Sequence, residues 1–472
     1  MGVLFGTDGI RGKANTHPMV PETALRVGRA LVRHFATNGS TGPVVVGRDT
    51  RLSGEMLEHA LMSGICAEGA EVLAAGVIPT PAVAALCRKH AAIAGVVISA
   101  SHNPYTDNGI KLFRGDGFKL GDEEEAAIEA MVLMPYAGDI PGTDRVGRVR
   151  RLKTAENDYL EAMMAALPSG FSLKGCRIIL DCANGASYHV APEMFRRLGA
   201  DVISLNNHPD GVNINKDCGS EHLEGICSAV KTYKADIGLA FDGDADRLLA
   251  VDETGAAATG DQLIAIFADY LNKNGRLDNN RVVTTVMSNL GLKQALQTMG
   301  IIHTTSAVGD RHVMTEMRQS GAVLGGEDSG HIIFLRHQTT GDGLLSALKL
   351  CEILKDFGKP FSLLKRVMTV FPQKLVAVAV RETPDLTGID SIRAAISLVE
   401  RNLGDSGRVL VRYSGTQPVC RVMVEGPDAA ATEEGCRVIA DAIDQAIGMS
   451  GETEKAENRN HRRGAENAEI TH

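Results

Sequence analysis

Short apolar runs alternate with segments of helical periodicity along most of this chain. The runs 43–47, 94–99, 176–181 and 237–241 are rich in aliphatic residues, as expected for buried strands. Between such runs, segments such as 54–67 place apolar residues three and four positions apart. This alternation predicts an α/β fold in which mostly parallel sheets are covered by helices.

The pattern changes several times and predicts separate domains. A polar stretch with glycine and proline, 135–147, follows the first α/β segment, and similar segments begin near residues 155 and 260. Beyond residue 370, strands followed by helices are typical of a small α+β domain. We therefore predict three similar α/β domains with mixed or parallel sheets at 1–150, 151–256 and 257–370, an α+β domain at 371–447, and a disordered tail at 448–472 that has too few apolar residues to fold.

Each of the three α/β segments contains an apolar strand that leads into a small polar loop. These strand–loop segments are 94–104, 237–247 and 322–331. Ligands bind where loops leave the carboxyl ends of parallel strands. We therefore expect the three loops to converge on one cleft, and their similarity favours an internal triplication.

The first loop contains Ser101, His102 and Pro104 directly after a buried strand. A serine hydroxyl beside an imidazole is a possible pair of nucleophile and base. The same residue types are common in turns, so this pattern alone leaves both interpretations open.

The second loop contains Asp242, Asp244 and Asp246. Carboxylates at alternating positions repel one another unless a cation holds them, and oxygen ligands favour Mg²⁺, Ca²⁺ or Mn²⁺ over zinc. An EF-hand is excluded, because Arg247 occupies the position that requires glycine. The sequence predicts a metal loop, with a solvated acidic turn as the alternative.

The third loop offers Glu327, Asp328, Ser329 and His331 on a backbone with three glycines. Paired acceptors and donors of this kind suit the hydroxyl groups of a sugar. A polar surface loop with an ordinary histidine explains the same residues equally well.

A fourth segment near the C-terminus has the composition of a phosphate-binding loop. Arg412 and Arg421 supply charge, Ser414 and Thr416 supply hydroxyls, and Gly415 lets backbone N–H groups approach an anion. The segment lacks the lysine and spacing of a P-loop, so nucleotide hydrolysis is not implied. An exposed turn is the alternative.

Composition narrows the possible functions of the 472-residue chain. Lys and Arg total 49 against 58 Asp and Glu, so the net charge is −9 and no general basic field favours a nucleic acid. No apolar run is long enough to span a membrane, and no secretory signal is visible. The nine cysteines are scattered without a CxxC pair, which favours a reducing cytoplasm. Locally, Arg11, Lys111, Arg247 and Arg311, together with the metal loop and the serine, suggest phosphoryl transfer.

Taken together, these segments resemble the α-D-phosphohexomutase superfamily. The resemblance extends from Phe5 to about Ile447. It rests on five segments in the same order: FGTDGIRG at 5–12, SHNPYTDNGIK at 101–111, DGDADR at 242–247, EDSGH at 327–331 and RYSGTQP at 412–418. One short motif would be weak evidence, whereas five in order are strong.

The resemblance implies four domains around a central cleft and a set of functional residues. Ser101 would carry the phosphoryl group, and Asp242, Asp244 and Asp246 would hold one Mg²⁺ per subunit together with the Ser101 phosphate. The predicted catalytic residues are Ser101, His102, Arg11, Lys111 and His331. The predicted substrate-binding residues are Arg247, Arg311, Glu327, Ser329, Arg412, Ser414, Gly415, Thr416 and Arg421. Ala245 and Gln417 stand where the superfamily usually has Gly and Glu, and neither departure is expected to abolish activity.

The implied activity is the interconversion of glucosamine 6-phosphate and glucosamine 1-phosphate through a bisphosphorylated sugar, on the route to UDP-N-acetylglucosamine. The segment 213–220 resembles the glucosamine branch, whereas action on glucose or mannose phosphates is the alternative, followed by a non-catalytic sugar-phosphate binding protein. A sugar bisphosphate or another phosphoryl donor would prime Ser101. We expect a cytoplasmic monomer or homodimer that binds hexosamine phosphate and neither nucleic acid nor membrane.

Overall fold

The computed structural model describes residues 3–6, 8–134, 142–414 and 418–449. The chain divides into two compact units, the first comprising Met1–Ser288 and Ala295–Met368, the second Asn289–Gln294 and Thr369–His472. Most of the segment predicted to be a disordered tail lies outside the described residues. Its first two residues are ordered, since Gly448 pairs with Val380 and the N–H of Met449 donates to the carbonyl of Ala379.

The first sheet of the first unit combines parallel and antiparallel strands. Its strands are β1 (Phe5–Gly6), β2 (Gly9–Lys13), β3 (Val44–Arg48), β4 (Val72–Val77), β5 (Ala94–Ile98), β6 (Asp107–Arg114) and β7 (Val149–Arg151), and its helices are α1 (Pro21–Thr37), α2 (Gly54–Ala67), α3 (Thr80–Lys89) and α4 (Asp122–Leu133). The strand order is β1-β2-β6-β5-β3-β4-β7. The predicted parallel strands β3, β4 and β5 are present. β6 pairs antiparallel with β5, β2 pairs antiparallel with β6, and β1 pairs antiparallel with β2.

Helical stripes cover this sheet. Val27, Leu31 and Phe35 recur every fourth residue on α1, and Leu57, Leu61 and Ile65 do so on α2. All six side chains belong to one buried cluster that also contains strand residues. The amphipathic period of each helix therefore fixes the face that it turns toward the sheet.

The second sheet has the order β12-β11-β10-β8-β9. Its elements are α5 (Ala155–Met164), β8 (Arg177–Asp181), α6 (Val190–Arg197), β9 (Asp201–Leu205), α7 (Glu224–Tyr233), β10 (Ile237–Phe241), β11 (Leu248–Asp252) and β12 (Ala257–Ala258). Strands β8, β9 and β10 are parallel, and β11 returns antiparallel to β10.

The third sheet has the order β14-β13-β15-β16. Its segment contains α8 (Gly260–Lys273), β13 (Arg281–Thr285), α9 (Leu290–Thr298), β14 (Ile302–Ser306), α10 (Asp310–Ser320), β15 (Leu324–Gly326), β16 (Ile332–Phe334), α11 (Gly343–Phe357) and α12 (Phe361–Leu364). β13 runs parallel to β14 and β15, and β16 returns antiparallel to β15.

The second unit contains a three-stranded antiparallel sheet in the order β17-β19-β18. Its elements are β17 (Gln373–Ala379), α13 (Asp390–Leu403), β18 (Arg408–Tyr413), β19 (Val419–Glu425) and α14 (Ala429–Ile447). Residues of all three strands and both helices form its buried core, as expected for an α+β domain.

The three predicted polar loops occupy equivalent places in their sheets. Each connects two antiparallel strands: β5 to β6, β10 to β11, and β15 to β16. In each sheet the first strand of the hairpin also pairs with a parallel neighbour. Among the described helices, none is long and apolar enough to cross a lipid bilayer.

Candidate active site

Ser101 lies in the loop between β5 and β6 and is 2% exposed. Its φ of +53° lies in the left-handed region, where a non-glycine residue is strained. The Ser101 Oγ donates a hydrogen bond to Oδ2 of Asp242 at 2.6 Å, and Nδ1 of His102 lies 3.5 Å away. Burial, followed by the charge of Arg247, lowers the pKa of His102 to about 4. The carboxylate is therefore the closer acceptor for the serine proton.

A buried ion pair shapes the serine loop. Arg51 Nε lies 2.9 Å from Oδ2 of Asp49, and both side chains are inaccessible to solvent. The Arg51 guanidinium also donates to the carbonyl oxygens of Ser101 and Asn103, at 2.9 and 2.8 Å. Asp49 accepts a further hydrogen bond from the hydroxyl of Ser99 at 2.6 Å. These contacts hold the strained loop backbone in place.

The aspartate loop meets the serine loop at close range. Asp242, Asp244 and Asp246 are buried, and one carboxylate oxygen of each lies within 4.8 Å of the others. A Cβ added to Gly243 would lie 2.6 Å from the carbonyl oxygen of Ser101. Only glycine allows this approach, which explains why the two loops can share one site.

The aspartate cluster fits a divalent cation. Burial, followed by the carboxylates of Asp246 and Asp244, raises the pKa of Asp242 well above its usual value. Among the described residues, Oδ1 of Asp244 and Oδ1 of Asp246 are buried without a hydrogen-bond partner. Carboxylate oxygens are the ligands that Mg²⁺ and Ca²⁺ prefer. These three residues could therefore hold a metal ion.

Lys111 projects from β6 into the same cluster and is 1% exposed. Its Nζ lies 2.8 Å from Asp244 Oδ2, 3.4 Å from Asp246 Oδ2 and 3.3 Å from Asp8 Oδ2. Burial alone lowers the pKa of Lys111, but these three carboxylates outweigh it and raise the pKa well above its usual value. Arg11 on β2 also pairs with Asp8. The structure thus brings both predicted catalytic cations to one carboxylate.

His331 precedes β16 and is buried beside the aspartates. Its Nδ1 lies 3.6 Å from Oδ1 of Asp246, and its Nε2 accepts a hydrogen bond from the N–H of Gly341 at 3.1 Å. Burial lowers the pKa of His331, but Asp246, Asp310 and Glu327 outweigh it and raise the pKa to about 8. The Gly341 amide acts against this shift, because an Nε2 that accepts a hydrogen bond carries no proton.

The third polar loop, which contains Glu327 and Ser329, and Arg247 lie at the edge of this cluster. Glu327 Oε1 accepts a hydrogen bond from the N–H of Gly309 at 3.1 Å. Among the described residues, the Ser329 hydroxyl has no hydrogen-bond partner although it is buried. Arg247 Nη1 lies 3.2 Å from Glu221 Oε1, and its Nε is 4.0 Å from Asp246 Oδ1.

A cleft of about 430 Å³ opens beside His331 and is lined by Lys119, Asp310 and Arg311, among others. The Arg311 guanidinium pairs with Asp122 and Glu125 of α4, in the latter case at 2.6 Å. These two carboxylates neutralise the positive charge of Arg311, which was predicted to bind substrate. Among the hydrogen bonds and ion pairs of the described residues, Arg311 makes none with Ser101 or the three aspartates.

In the second unit, Arg412 and Arg421 are directly opposite each other on β18 and β19. Burial, followed by the charge of Arg421, lowers the pKa of Arg412. Like charges that face each other across strands are destabilising. Ser414 follows β18, and its N–H donates to the carbonyl of Val419 at 2.9 Å. Gly415 and Thr416 lie outside the described residues.

Five charged residues near these groups were not predicted from the sequence. Asp49 and Arg51 are buried, whereas the side chains of Asp8, Lys119 and Asp310 are 25%, 12% and 14% exposed. Asp49 and Arg51 directly follow the parallel strand β3, which pairs with β5. Because ligands bind at the carboxyl ends of parallel strands, this position in the sequence could have marked them as site residues. Lys119 and Asp310 are far apart in the chain, and no local pattern connects them.

Comparison with known proteins places the chain in a family. Models of the four phosphoglucomutase/phosphomannomutase domains match it: the alpha/beta/alpha domains I, II and III at residues 2–135, 157–255 and 259–371, and the C-terminal domain at 375–442. The chain therefore belongs to the phosphoglucomutase/phosphomannomutase family.

Particular relatives narrow the comparison. The chain is 51% identical over 449 residues to a phosphoglucosamine mutase of Syntrophus aciditrophicus, covering 95% of this chain and 100% of the relative. A phosphoglucomutase/phosphomannomutase family protein of Burkholderia thailandensis shares the fold at 24% identity, with a TM-score of 0.78 over 94% of this chain and 97% of that one. Aspergillus fumigatus N-acetylphosphoglucosamine mutase, solved with GlcNAc-6P and magnesium, has a TM-score of 0.68 at 18% identity, over 93% and 95% of the two chains.

Proposed function

We propose that this protein is a phosphoglucosamine mutase that interconverts glucosamine 6-phosphate and glucosamine 1-phosphate. The observation that carries the proposal is the contact of Ser101 Oγ with Asp242 Oδ2 at 2.6 Å, inside a buried cluster of aspartates. The identity of 51% to a phosphoglucosamine mutase over nearly the whole chain supports the choice of sugar.

Ser101 carries the transferred group in this proposal. The bond between phosphorus and Ser101 Oγ breaks as a bond forms between phosphorus and the free hydroxyl oxygen of the sugar phosphate, and the proton of that hydroxyl ends on the freed Ser101 Oγ. The bisphosphorylated sugar then turns end for end. The bond between its other phosphorus and the sugar oxygen breaks as Ser101 Oγ bonds to that phosphorus, and the freed sugar oxygen ends with the proton that leaves Oγ. Asp242, which accepts the hydrogen bond of the serine hydroxyl, is the nearest group to take its proton in that second transfer.

Charge balance assigns roles to the neighbouring cations. Lys111, held at 2.8 Å from Asp244, places a buried positive charge next to the transferred group. Arg11 adds a second charge through Asp8, and His102 and His331 flank the site as groups that hold or move a proton. Phosphoryl transfer depends mainly on such positioning and neutralisation.

Asp242, Asp244 and Asp246 would hold one Mg²⁺ per subunit, together with the Ser101 phosphate. When bound, the ion neutralises phosphoryl charge that would otherwise be repelled by three carboxylates. The buried Oδ1 atoms of Asp244 and Asp246, which accept no hydrogen bond from the described residues, support this assignment.

The remaining predicted residues would recognise the substrate, which we propose is a hexosamine phosphate. Glu327 and Ser329 would contact sugar hydroxyls, and Arg247 would neutralise a phosphate at the edge of the aspartate cluster. Arg412, Ser414, Gly415, Thr416 and Arg421 would bind the distal phosphate. The facing guanidiniums of Arg412 and Arg421 support this, because an anion between them relieves their repulsion. The proposed functional domains are 1–150, 151–256, 257–370 and 371–447, and a sugar bisphosphate would prime Ser101.

Two measurements test the proposal. Intact-mass analysis after incubation with a sugar bisphosphate should show a species about 80 Da heavier, mapped to Ser101, as expected for one phosphate. Steady-state rates on glucosamine, glucose and mannose phosphates should be highest for glucosamine. A persistent absence of phosphoserine would favour a binding protein, and faster turnover of glucose or mannose phosphate would overturn the choice of sugar.

A further inference from the structure

A chain of alternating charges leads away from the aspartate cluster. Lys111 Nζ lies 2.8 Å from Asp244 Oδ2 and 3.3 Å from Asp8 Oδ2. Asp8 also pairs with Lys119, and Lys119 pairs with Asp310 at the start of α10. We call the series Asp244–Lys111–Asp8–Lys119–Asp310 the charge chain. It joins the first sheet to the loops of the second and third sheets.

The charge chain is largely shielded from water. The side chains of Lys119 and Asp310 are 12% and 14% exposed, that of Lys111 is 1% exposed and that of Asp8 is 25% exposed. Ion pairs are screened less in such surroundings than on an open surface, so removal of Lys119 leaves Oδ1 of Asp8 without its cation. A change at Lys119 must therefore be felt by Asp8.

Asp8 is the point at which the charge chain meets the catalytic cations. One carboxylate contacts Lys111, Arg11 and Lys119. Lys119 pairs with Oδ1 of Asp8, whereas Lys111 and Arg11 both pair with Oδ2. The position of Lys119 therefore fixes the orientation of the carboxylate that the two other cations contact. Asp310 in turn fixes Lys119 from the opposite side.

We propose that Lys119 is a positioning residue for phosphoryl transfer: by holding Asp8, it fixes Lys111 and Arg11 beside Ser101. The inference rests on the proposed function, since it acts through residues that the function requires. Lys119 makes no contact with Ser101 or the three aspartates among the hydrogen bonds and ion pairs of the described residues. A misplacement of about 1 Å at a catalytic group can lower a rate a hundredfold.

The alternative is that Lys119 has only a structural role and stabilises the contact between Asp8, near the first sheet, and Asp310 on α10. Arg88 provides a matched control, because its Nη2 donates to Gln338 Oε1 at 2.8 Å and so connects the same two sheet regions. Among the hydrogen bonds and ion pairs of the described residues, Arg88 makes none with the charge chain, and it has no role in the proposed mechanism. Arg88→Met removes a cation from this boundary as Lys119→Met does.

The kinetic test separates kcat from KM. Lys119→Met should lower kcat at least about tenfold and change KM less than about threefold. Lys119→Arg should recover most of the loss in kcat. Arg88→Met should leave kcat and KM within about twofold of the wild-type values. Unchanged kcat in Lys119→Met, or an equal loss in Arg88→Met, would overturn the proposal. A rise in KM without loss of kcat would also overturn it, since Lys119 would then bind substrate directly. If Lys119→Met fails to fold, Asp310→Asn replaces it, and an unchanged kcat there overturns the inference.

The position of Asp8 in crystals tests the positioning role of Lys119 independently of which sugar phosphate is the substrate. The kinetic ratios are taken on whichever hexose phosphate the wild-type protein turns over fastest. In crystals of Lys119→Met or Asp310→Asn, the Asp8 carboxylate should move by about 1 Å relative to Lys111, the scale that matters for catalysis. An unmoved Asp8 would overturn the positioning role even if no hexose phosphate were a substrate.

Discussion

The serine–aspartate cluster and the arginine pair of the second unit both suit phosphate, but they balance charge in opposite ways. In the cluster, buried Lys111 lies among the carboxylates of Asp8, Asp244 and Asp246. On β18 and β19, Arg412 and Arg421 face each other, and no carboxylate of the described residues forms an ion pair with either.

Under the proposed function, this difference corresponds to a site for phosphoryl transfer at the cluster and a site for substrate binding at the arginine pair. The cluster has more carboxylates than cations, so it would accept a phosphoryl group only when cations neutralise both the carboxylates and the phosphoryl oxygens. Its charged groups are already in place before substrate binds. The arginine pair is relieved by the phosphate itself, so it favours binding without any further ion. Substitutions at the two places should therefore affect different constants.

The largest effect is expected at Ser101. Ser101→Ala should lower kcat by roughly a thousandfold or more, because the hydroxyl is the only carrier of the transferred group. Binding of glucosamine 6-phosphate, measured by calorimetry, should survive, because the arginine pair is intact. Ser63→Ala, on the exposed face of α2, is the control and should leave kcat and substrate binding unchanged. A near wild-type rate for Ser101→Ala would remove this serine from the mechanism.

The buried pair beneath the serine loop should dominate stability. Arg51→Met leaves Asp49 buried and uncompensated, so the free energy of unfolding should fall by about 3–5 kcal/mol in urea denaturation. The control is Arg150→Met, whose ion pair with Glu71 is 63% and 42% exposed and should contribute no more than about 1 kcal/mol. Equal losses in the two variants would mean that the buried pair has no special part in holding the loop.

At the arginine pair, the effect should be on substrate affinity. Arg412→Ala should raise KM and lower kcat/KM by roughly ten- to a hundredfold, the loss expected for about 1.5–3 kcal/mol of charged hydrogen bonding. Phosphoserine should still form, because the serine and the aspartates are unchanged. Arg437→Ala removes an exposed cation of α14 and should change kcat/KM less than about twofold. An unchanged kcat/KM in Arg412→Ala would contradict the phosphate-binding role and favour the alternative that 412–418 is an exposed turn.

The sequence predicted long periodic elements better than short strands with functional residues. Helix α2 and strand β10 have the predicted limits, 54–67 and 237–241, because their apolar patterns are uninterrupted. The return strand β6 was not predicted, because it carries Asn108 and Lys111, which are polar but buried. β16 was also missed, because three residues are too short for a period to be recognised.

The candidate site was predictable where its residues are close in sequence. The serine and aspartate loops are local motifs, and the structure brings them to 2.6 Å. The charge chain and the Asp49–Arg51 scaffold depend instead on burial and on contacts between distant segments. Charged residues are mostly exposed, so nothing in the local pattern marks these as buried.

The smallest predicted effect concerns the backbone of the aspartate loop. Ala245 is buried with φ of +56°, a conformation that costs an L-residue about 1–2 kcal/mol. Ala245→Gly relieves this strain but loses a methyl group and adds about 0.4–1 kcal/mol of chain entropy to the unfolded state. These terms nearly cancel, so the free energy of unfolding should change by less than about 0.5 kcal/mol. Ala250→Gly, in the buried strand β11, loses a methyl group without relief and should cost about 1–2 kcal/mol. An equal loss in both variants would mean that the left-handed conformation of residue 245 carries no strain.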